Sequence, residues 1–164
     1  MEPRAGGLAY VIRDLSVDDQ EFVTDMQYEA FFVPPGAAPY PRSIVGEEAI
    51  LPYHADFGSR VGDVGVAAEV PTVELLGAAW VRHVPNGYGF VAEEIPELGI
   101  AVVASARGRG IGSALLAALV DRVPTLSLSC DVRNPAMRLY RRFGFELVRM
   151  DGENTAVMLR RPHH

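Results

Sequence analysis

Hydrophobic positions along the chain follow strand-like and helical spacings in turn, and the clearest switch lies just after its middle. Residues 98–103 form a short apolar run rich in Val and Ile, which is typical of a buried strand. Beyond Gly110 the apolar residues recur at spacings of three and four, which places them on one face of a helix. These residues are Ile111, Leu115, Leu116, Leu119, Val120 and Val123. The pattern predicts a strand, a glycine-bearing loop and a helix in direct succession.

The N-terminal half has weaker periodicity but clear start and stop signals. Residues 10–13 predict a first strand, and Ser16 to Asp19 has the sequence of a capping box before a helix that runs to about Ala30. Four prolines between residues 34 and 41 then enforce a loop, because proline fixes φ and donates no backbone hydrogen bond. The other elements predicted in this half are a short helix over residues 43–51 and strands over residues 63–69 and 73–84.

The C-terminal half predicts a helix between strands. Asn134 and Pro135 indicate its start, since Asn is a good N-cap and Pro fits the first helical position, and Gly144 indicates its end. Antiparallel hairpins at both ends of the chain predict an α/β (α+β) fold with a single mixed, largely antiparallel central sheet flanked by helices. The remaining segments are a connection over residues 85–96, a strand over 126–132, and a hairpin of strands over 145–150 and 155–159.

Composition is that of one ordinary globular domain over residues 1–164. The chain has a mass of 17.8 kDa, with 49% hydrophobic and 22% charged residues. A single cysteine excludes an internal disulfide and a cysteine-based zinc site, and we expect no metal. The absence of a signal peptide pattern and of a long apolar run predicts a cytoplasmic protein with no membrane partner. His163 and His164 are interpreted as the remnant of a purification tag.

The net charge of −6 is distributed unevenly. Residues 1–104 carry 5 arginines and 16 acidic residues, whereas residues 105–150 carry 8 arginines and 3 acidic residues. The basic excess therefore lies in the half with the glycine loop, as a polyanionic ligand requires. The acidic half suits a cationic substrate, with an ordinary solvated surface as the alternative interpretation.

The glycine loop is suited to hold anionic oxygens. Glycines let the backbone approach a ligand, and the first amides of the following helix lack partners within it. A Walker A loop needs a lysine, which the chain lacks, and the dinucleotide pattern fails at its third glycine. What remains is Arg-x-x-Gly-x-Gly at Arg107, Gly110 and Gly112, with a ligand-free turn as the alternative.

Two motifs in order resemble the GNAT superfamily of N-acetyltransferases. Arg107-x-x-Gly110-x-Gly112 is similar to the acyl-CoA pyrophosphate loop of that family. The segment Asn134-x-Ala136-x-x-Leu139-Tyr140-x-x-x-Gly144-Phe145 resembles the stretch that follows it. The resemblance covers at least residues 73–160. It implies an acceptor-side half over about 1–96, an acetyl-CoA-binding core over about 97–145, and a C-terminal hairpin over about 145–160.

The resemblance implies a set of residues that bind acetyl-CoA. The backbone of the central strand would pair with the pantetheine arm, and the loop amides would hold the pyrophosphate. Asn134 would bond the cofactor arm, although helix capping alone also explains it. The strand residues are Val102 and Val103, and the loop residues are Arg107, Gly108, Arg109, Gly110, Ile111, Gly112 and Ser113.

The same resemblance implies roles in catalysis. Tyr140 matches the tyrosine that protonates the departing CoA thiolate, with core packing as the alternative. Glu97 matches the base of some relatives, with a strand-end surface carboxylate as the alternative. Glu93 and Glu94 compete as base or as anchors for a cationic substrate. Tyr88, Trp80 and His83 are candidates for the acceptor pocket, although Trp80 is expected rather in the core.

The sequence therefore predicts an N-acetyltransferase that moves an acetyl group from acetyl-CoA to a primary amine by direct attack. A non-catalytic acyl-CoA sensor is the alternative. Binding of nucleic acid through Arg138, Arg141 and Arg142 is disfavoured by a pI near 5.2, so these arginines are expected to meet CoA phosphates or solvent. Cys130 lies in an apolar strand pattern and predicts a buried residue rather than a nucleophile. The resemblance also implies a homodimer, to which the C-terminal hairpin would contribute, and no motif identifies the acceptor.

Overall fold

Seven strands form one mixed sheet in the computed structural model, which describes residues 4–5 and 8–162. The strands are β3 (Val11–Asp14), β4 (Val64–Glu69), β5 (Leu75–Arg82), β6 (Glu97–Val102), β7 (Leu126–Asp131), β8 (Glu146–Asp151) and β9 (Thr155–Arg160). Their order is β3-β4-β5-β6-β7-β9-β8, and every neighbouring pair is antiparallel except β6 and β7. This sheet, flanked by helices, confirms the predicted fold class. A small hairpin, β1 (Arg4–Ala5) and β2 (Leu8–Ala9), precedes it. His163 and His164 lie outside the described residues.

The α-helices begin and end close to the predicted signals. They are α1 (Gln20–Glu29), α2 (Ile111–Arg122) and α3 (Ala136–Arg142). The predicted capping box is present, because the Ser16 side chain accepts from the Asp18 amide and the Asp19 carboxylate accepts from the Ser16 amide at 2.8 Å. Asn134 caps α3 by accepting from the Ala136 amide at 2.9 Å, and Gly144 ends it at a φ of +88°. Among the described helices, none is long and apolar enough to cross a membrane.

The predicted short helix over residues 43–51 is wrong. Two 3₁₀ helices, Arg42–Gly46 and Leu51–Tyr53, lie there instead. Pro41 lies immediately before the first of them, and Pro52 lies within the second. Gly46 disfavours a helix interior and Pro52 disfavours the helical conformation of the residue before it, so both favour short 3₁₀ turns over one continuous α-helix. Further 3₁₀ helices span Val17–Asp19 and Ala104–Ala106.

The sheet separates two apolar clusters. On one face α2 and α3 pack against the strands, and Leu115, Leu116 and Leu119 are fully buried there. On the other face α1 packs through Val23 and Met26 against a smaller cluster with Trp80. Helices α1 and α2 thus cover the sheet at β6 from both faces.

Strands β6 and β7 separate soon after they meet. A single register pair, Glu97 with Ser127, joins them, whereas β6 pairs with β5 along its length. The Val103 amide donates to the Leu76 carbonyl at 2.8 Å, so the peptide groups of Val103 face β5. Because successive peptide groups of a strand point to opposite sides, those of Ile100 and Val102 point into the gap. Beyond Glu97, the edge of β6 is therefore open to a ligand.

His54 is buried, and its imidazole ring is neutral. Its Nδ1 is 2.8 Å from the Thr24 hydroxyl, and its Nε2 is 2.7 Å from the Val45 carbonyl. A carbonyl can only accept, so Nε2 carries the hydrogen and Nδ1 accepts from Thr24. Burial lowers the pKa of His54 below its ordinary value.

This burial predicts a pH-dependent stability. As the pH falls below about 6.5, the unfolded chain binds a proton at this histidine before the folded chain does, so folding stability decreases. His54→Gln is expected to remove that part of the slope in melting temperature between about pH 7.5 and about pH 5. His83→Gln, a change at a partly exposed histidine, serves as the control. An unchanged slope in His54→Gln would contradict the assignment.

Candidate functional site

Two cavities lie along the gap beside β6 and meet at Tyr140. The Glu97 cavity, of about 430 Å³, contains Glu97, Tyr53 and Tyr88 in its wall. The glycine-loop cavity, of about 830 Å³, is bounded by the loop before α2 and the start of that helix. Tyr140, together with Ile100 and Asn134, lines both of them. A ligand that follows β6 from the loop would therefore end beside Tyr140.

The loop before α2 is shaped to bind an anion. Gly108 and Gly110 have φ values of +77° and +82°, which glycine adopts without strain. The first hydrogen bond within helix α2 runs from the Ala114 amide to the Gly110 carbonyl, at 3.1 Å. The amides of Ile111 to Ser113 thus have no acceptor within the helix, and no side chain caps its start. Free amides at the positive end of a helix dipole favour an oxyanion.

Two of the predicted arginines reach this cavity. Arg107 donates from Nε to the Val102 carbonyl at 2.9 Å and from Nη2 to Glu29 at 2.8 Å. Arg142 donates to the Ser113 hydroxyl at 3.2 Å. Both line the cavity, where the charge of Arg107 is paired with Glu29 and that of Arg142 has no carboxylate partner among the described residues. The other candidate arginines, Arg109, Arg138 and Arg141, are exposed and do not line it.

The strand edge differs in one position from the sequence prediction. Val102 lines the glycine-loop cavity, and its amide points into the gap. Val103 does not line it, because its amide is already bonded to β5. Ile100, which sequence reasoning missed, supplies the second open peptide group. Which of two adjacent residues faces the gap depends on the register with β5, and the sequence alone contains no signal for it.

Tyr140 is both a packed residue and a cavity residue. Its side chain is 8% exposed, and its ring meets the edge of Phe145 at 5.8 Å between centroids. The hydroxyl has no hydrogen-bond partner among the residues that the structure describes. Burial raises the pKa of Tyr140 above its ordinary value, so the hydroxyl keeps its proton at neutral pH. Such a group can donate a proton to an anion that forms in the gap.

Glu97 is a buried carboxylate with one unsatisfied oxygen. The residue is 4% exposed, which excludes the strand-end surface interpretation. Its Oε2 accepts from the Tyr53 hydroxyl at 2.8 Å and from the Gly89 amide at 3.1 Å, while Oε1 has no hydrogen-bond partner among the described residues. Burial raises the pKa of Glu97, opposed by the Tyr53 hydrogen bond and by the charge of Arg149. A carboxylate of raised pKa is suited to accept a proton, and here the unpartnered Oε1 is shielded from solvent against Gly87.

The neighbours of Glu97 hold it in place. The Trp80 indole donates to the Tyr53 carbonyl at 3.0 Å, and the Tyr53 hydroxyl accepts from the Tyr88 amide at 2.7 Å. A Cβ at Gly87 would overlap the free Oε1 of Glu97, so this loop packs against the carboxylate without a side chain. Sequence reasoning missed Tyr53, because it lies in a segment without a motif.

The structure separates the candidates for the acceptor pocket. Tyr88 lines the Glu97 cavity, with 54% of its surface exposed. Trp80 is 1% exposed and belongs to the core, as expected, where it supports Tyr53. Glu93 and Glu94 are exposed and line neither cavity, and His83, which also lines neither, has its Nδ1 2.9 Å from the Glu93 carbonyl.

Other reactive groups are limited. Cys130 lines the Glu97 cavity but is buried, and burial raises the pKa of its thiol to about 11. It therefore stays a neutral thiol and a weak nucleophile at neutral pH. Within residues 4–5 and 8–162, no group of three or more His, Cys, Asp or Glu side chains is placed to hold a metal ion.

Comparison with known families gives one match over half of the chain. The profile of the acetyltransferase (GNAT) domain family matches residues 62–147, which contain both the glycine loop and Tyr140. No curated protein sequence matches significantly.

Solved structures of low identity share the fold. The PaiA N-acetyltransferase from Thermoplasma acidophilum in complex with coenzyme A has 16% identity and a TM-score of 0.66, with 94% of this chain and 100% of that chain covered. A GNAT superfamily phosphinothricin acetyltransferase from Sinorhizobium meliloti in complex with acetyl-CoA has 22% identity and a TM-score of 0.62, with coverages of 92% and 87%. A chimera that includes the spermidine N-acetyltransferase of Vibrio cholerae has 17% identity and a TM-score of 0.56, with coverages of 92% and 93%.

Proposed function

The chain belongs to the GNAT family of acetyltransferases, and on that premise we propose that it moves an acetyl group from acetyl-CoA to a primary amine by direct attack. The observation that carries the proposal is the place of Tyr140, between an anion-binding loop and a cavity with a buried carboxylate. A non-catalytic acyl-CoA sensor would need the loop but not Glu97 with its free oxygen. Release of CoA thiol in the presence of an amine tests the proposal.

The residues of the glycine-loop cavity fit a pantetheine and a pyrophosphate. The amides of Ile111 to Ser113 would hold the phosphate oxygens, with charge from Arg107 and Arg142. The peptide groups of Ile100 and the amide of Val102 would pair with an extended arm, since the Val102 carbonyl already accepts from Arg107. When bound, acetyl-CoA supplies an activated thioester. The Asn134 side chain already caps α3 through its oxygen, which leaves its NH₂ group to donate to the same arm.

Glu97 and Tyr140 would move the protons. Glu97 accepts a proton from the substrate ammonium, directly or through a water molecule, because only the neutral amine is nucleophilic. The carbon–nitrogen bond then forms as the carbon–sulfur bond breaks. Tyr140 donates its proton to the departing thiolate, and the proton that nitrogen loses on becoming an amide restores the phenol. Tyr53 acts through Glu97, as a positioning residue.

Substitution of Gly110 tests whether the loop before α2 binds acetyl-CoA. Gly110→Ala is expected to weaken acetyl-CoA binding by at least about tenfold, since alanine disfavours a φ of +82° and the loop amides would shift. Gly152→Ala is a matched control, because Gly152 has a φ of +76°, similar open surroundings and a place in the β8–β9 turn. Both variants should lose similar stability in a thermal melt. Equal affinity for acetyl-CoA in calorimetry of the two would contradict the loop assignment.

A homodimer, a single domain and a cytoplasmic location stay predictions of the sequence. The edge strand β8 supports the dimer, since Leu147, Val148 and Met150 are exposed along it. Light scattering is expected to give a mass near twice 17.8 kDa, and Leu147→Arg is expected to lower it to one chain. A monomeric mass for the unchanged protein would contradict the prediction.

A further inference from the structure

The charged residues that line the Glu97 cavity are all acidic. They are Glu47, Glu97 and Asp131, and no described arginine or histidine lines it. Asp131 is already paired with Arg133, at 2.7 Å. Glu47 is exposed and has no ion pair among the described residues, whereas Glu97 is buried with Oε1 unpartnered. The cavity thus has one free negative charge at its buried end and one at its exposed end.

We propose that the acceptor is a small amine with a second cationic group and without a carboxylate or phosphate. This rests on the proposed function, in which Glu97 receives the reacting ammonium. Glu47 would attract the second cation toward the open end of the cavity. An anionic group on the acceptor would meet no cationic side chain, and like charges beside Glu97 disfavour its binding.

Besides Tyr140, five aromatic side chains line the Glu97 cavity. They belong to Phe31, Phe32, Tyr40, Tyr53 and Tyr88. Aromatic faces suit both a chain of methylene groups and a cation, and the volume of about 430 Å³ is that of a small-molecule site. The lining therefore favours a diamine over an amino acid of the same length.

Three acceptors that differ only at the far end test the inference. They are 1,5-diaminopentane, pentylamine and 5-aminopentanoate, with three-carbon analogues to allow for the spacing of the charges. In thiol-release assays kcat/KM per amino group is expected to be about two- to fivefold higher for the diamine than for the monoamine, as a partly exposed ion pair provides. For 5-aminopentanoate, kcat/KM is expected to be at least about tenfold lower than for pentylamine.

Exchange of Glu47 identifies the charge responsible. Glu47→Gln is expected to lower kcat/KM per amino group for the diamine to the value for pentylamine. Glu48→Gln, at an exposed neighbouring acid outside the lining, is expected to keep the preference. A preference that survives Glu47→Gln, or use of 5-aminopentanoate as good as that of the diamine, would overturn the inference.

A binding readout separates this inference from the proposed reaction. In the presence of CoA, 1,5-diaminopentane is expected to raise the melting temperature of the unchanged protein, but not of Glu47→Gln. This result in a protein that releases no thiol would support the cation site and contradict acetyl transfer. No stabilisation of either protein, with thiol release indifferent to the far end, would support transfer and overturn the inference.

Discussion

Glu97→Gln is expected to lower kcat/KM for amine acetylation by about 10²- to 10⁴-fold, the usual contribution of a general base. The glutamine oxygen can still accept from the Tyr53 hydroxyl and the Gly89 amide, which now bond Oε2. The variant therefore keeps the shape of the site and loses only the proton acceptor. Initial rates of thiol release at saturating acetyl-CoA measure the effect.

Glu97→Gln is also expected to change the pH dependence of folding stability in a defined direction. Burial raises the pKa of Glu97 in the folded protein, so an ionised Glu97 destabilises the fold above that pKa, and the effect vanishes below the ordinary value of 4.5. Glu97→Gln is expected to melt at a higher temperature than the unchanged protein at about pH 7.5, with the gain lost at about pH 4. The unchanged enzyme should lose activity as the pH falls through the raised pKa.

Glu93→Gln is the matched control for Glu97→Gln. Glu93 lies four residues earlier, is exposed and lines neither cavity. Its exchange is expected to leave kcat/KM within about twofold, as for most surface changes. A large loss of activity in Glu93→Gln together with a small effect in Glu97→Gln would show that Glu93, and not Glu97, is the base.

Tyr140→Phe is expected to lower kcat by about 10²-fold and to leave the affinity for acetyl-CoA unchanged. The phenylalanine ring keeps the edge contact with Phe145, and the lost hydroxyl has no partner among the described residues. Folding should therefore be preserved, and the loss should fall on the step in which the thiolate departs. Single-turnover thiol release, with calorimetry of acetyl-CoA binding, separates the two quantities.

Tyr10→Phe controls for the removal of a buried hydroxyl as such. Tyr10 is 3% exposed, lies in the core and lines neither cavity. It is expected to keep the turnover of the unchanged enzyme. A turnover of Tyr140→Phe equal to that of Tyr10→Phe would remove the acid role from Tyr140.

The parts of the site that the sequence predicted depend on short-range chemistry. The glycine loop and the cap at Asn134 follow from residues a few positions apart, whose spacing the backbone geometry enforces, whereas Tyr140 was singled out by the family resemblance. The mixed sheet followed in the same way from turn residues and apolar periodicity. The identity of Glu97 as a candidate base came from the family resemblance and not from its local pattern.

The parts that the sequence did not predict depend on contacts between distant segments. Tyr53 reaches Glu97 across 44 positions, from the 3₁₀ helix Leu51–Tyr53 in a segment without a motif. Glu93 and Glu97 are chemically alike, and only the fold buries one of them. The register of β5 and β6 determines that the Ile100 amide faces the gap, whereas the Val103 amide is hydrogen-bonded to β5.

Calorimetric titration of the purified protein with acetyl-CoA, CoA and ATP, followed by thiol release across an amine panel, tests acetyl transfer most directly. We predict binding of both CoA species, with ATP much weaker, and thiol release that requires an amine and ends in one acetylated nitrogen for each thiol. Binding of acetyl-CoA without release from any amine would contradict transfer and favour the sensor. Absence of binding by either CoA species would contradict the entire assignment of the site.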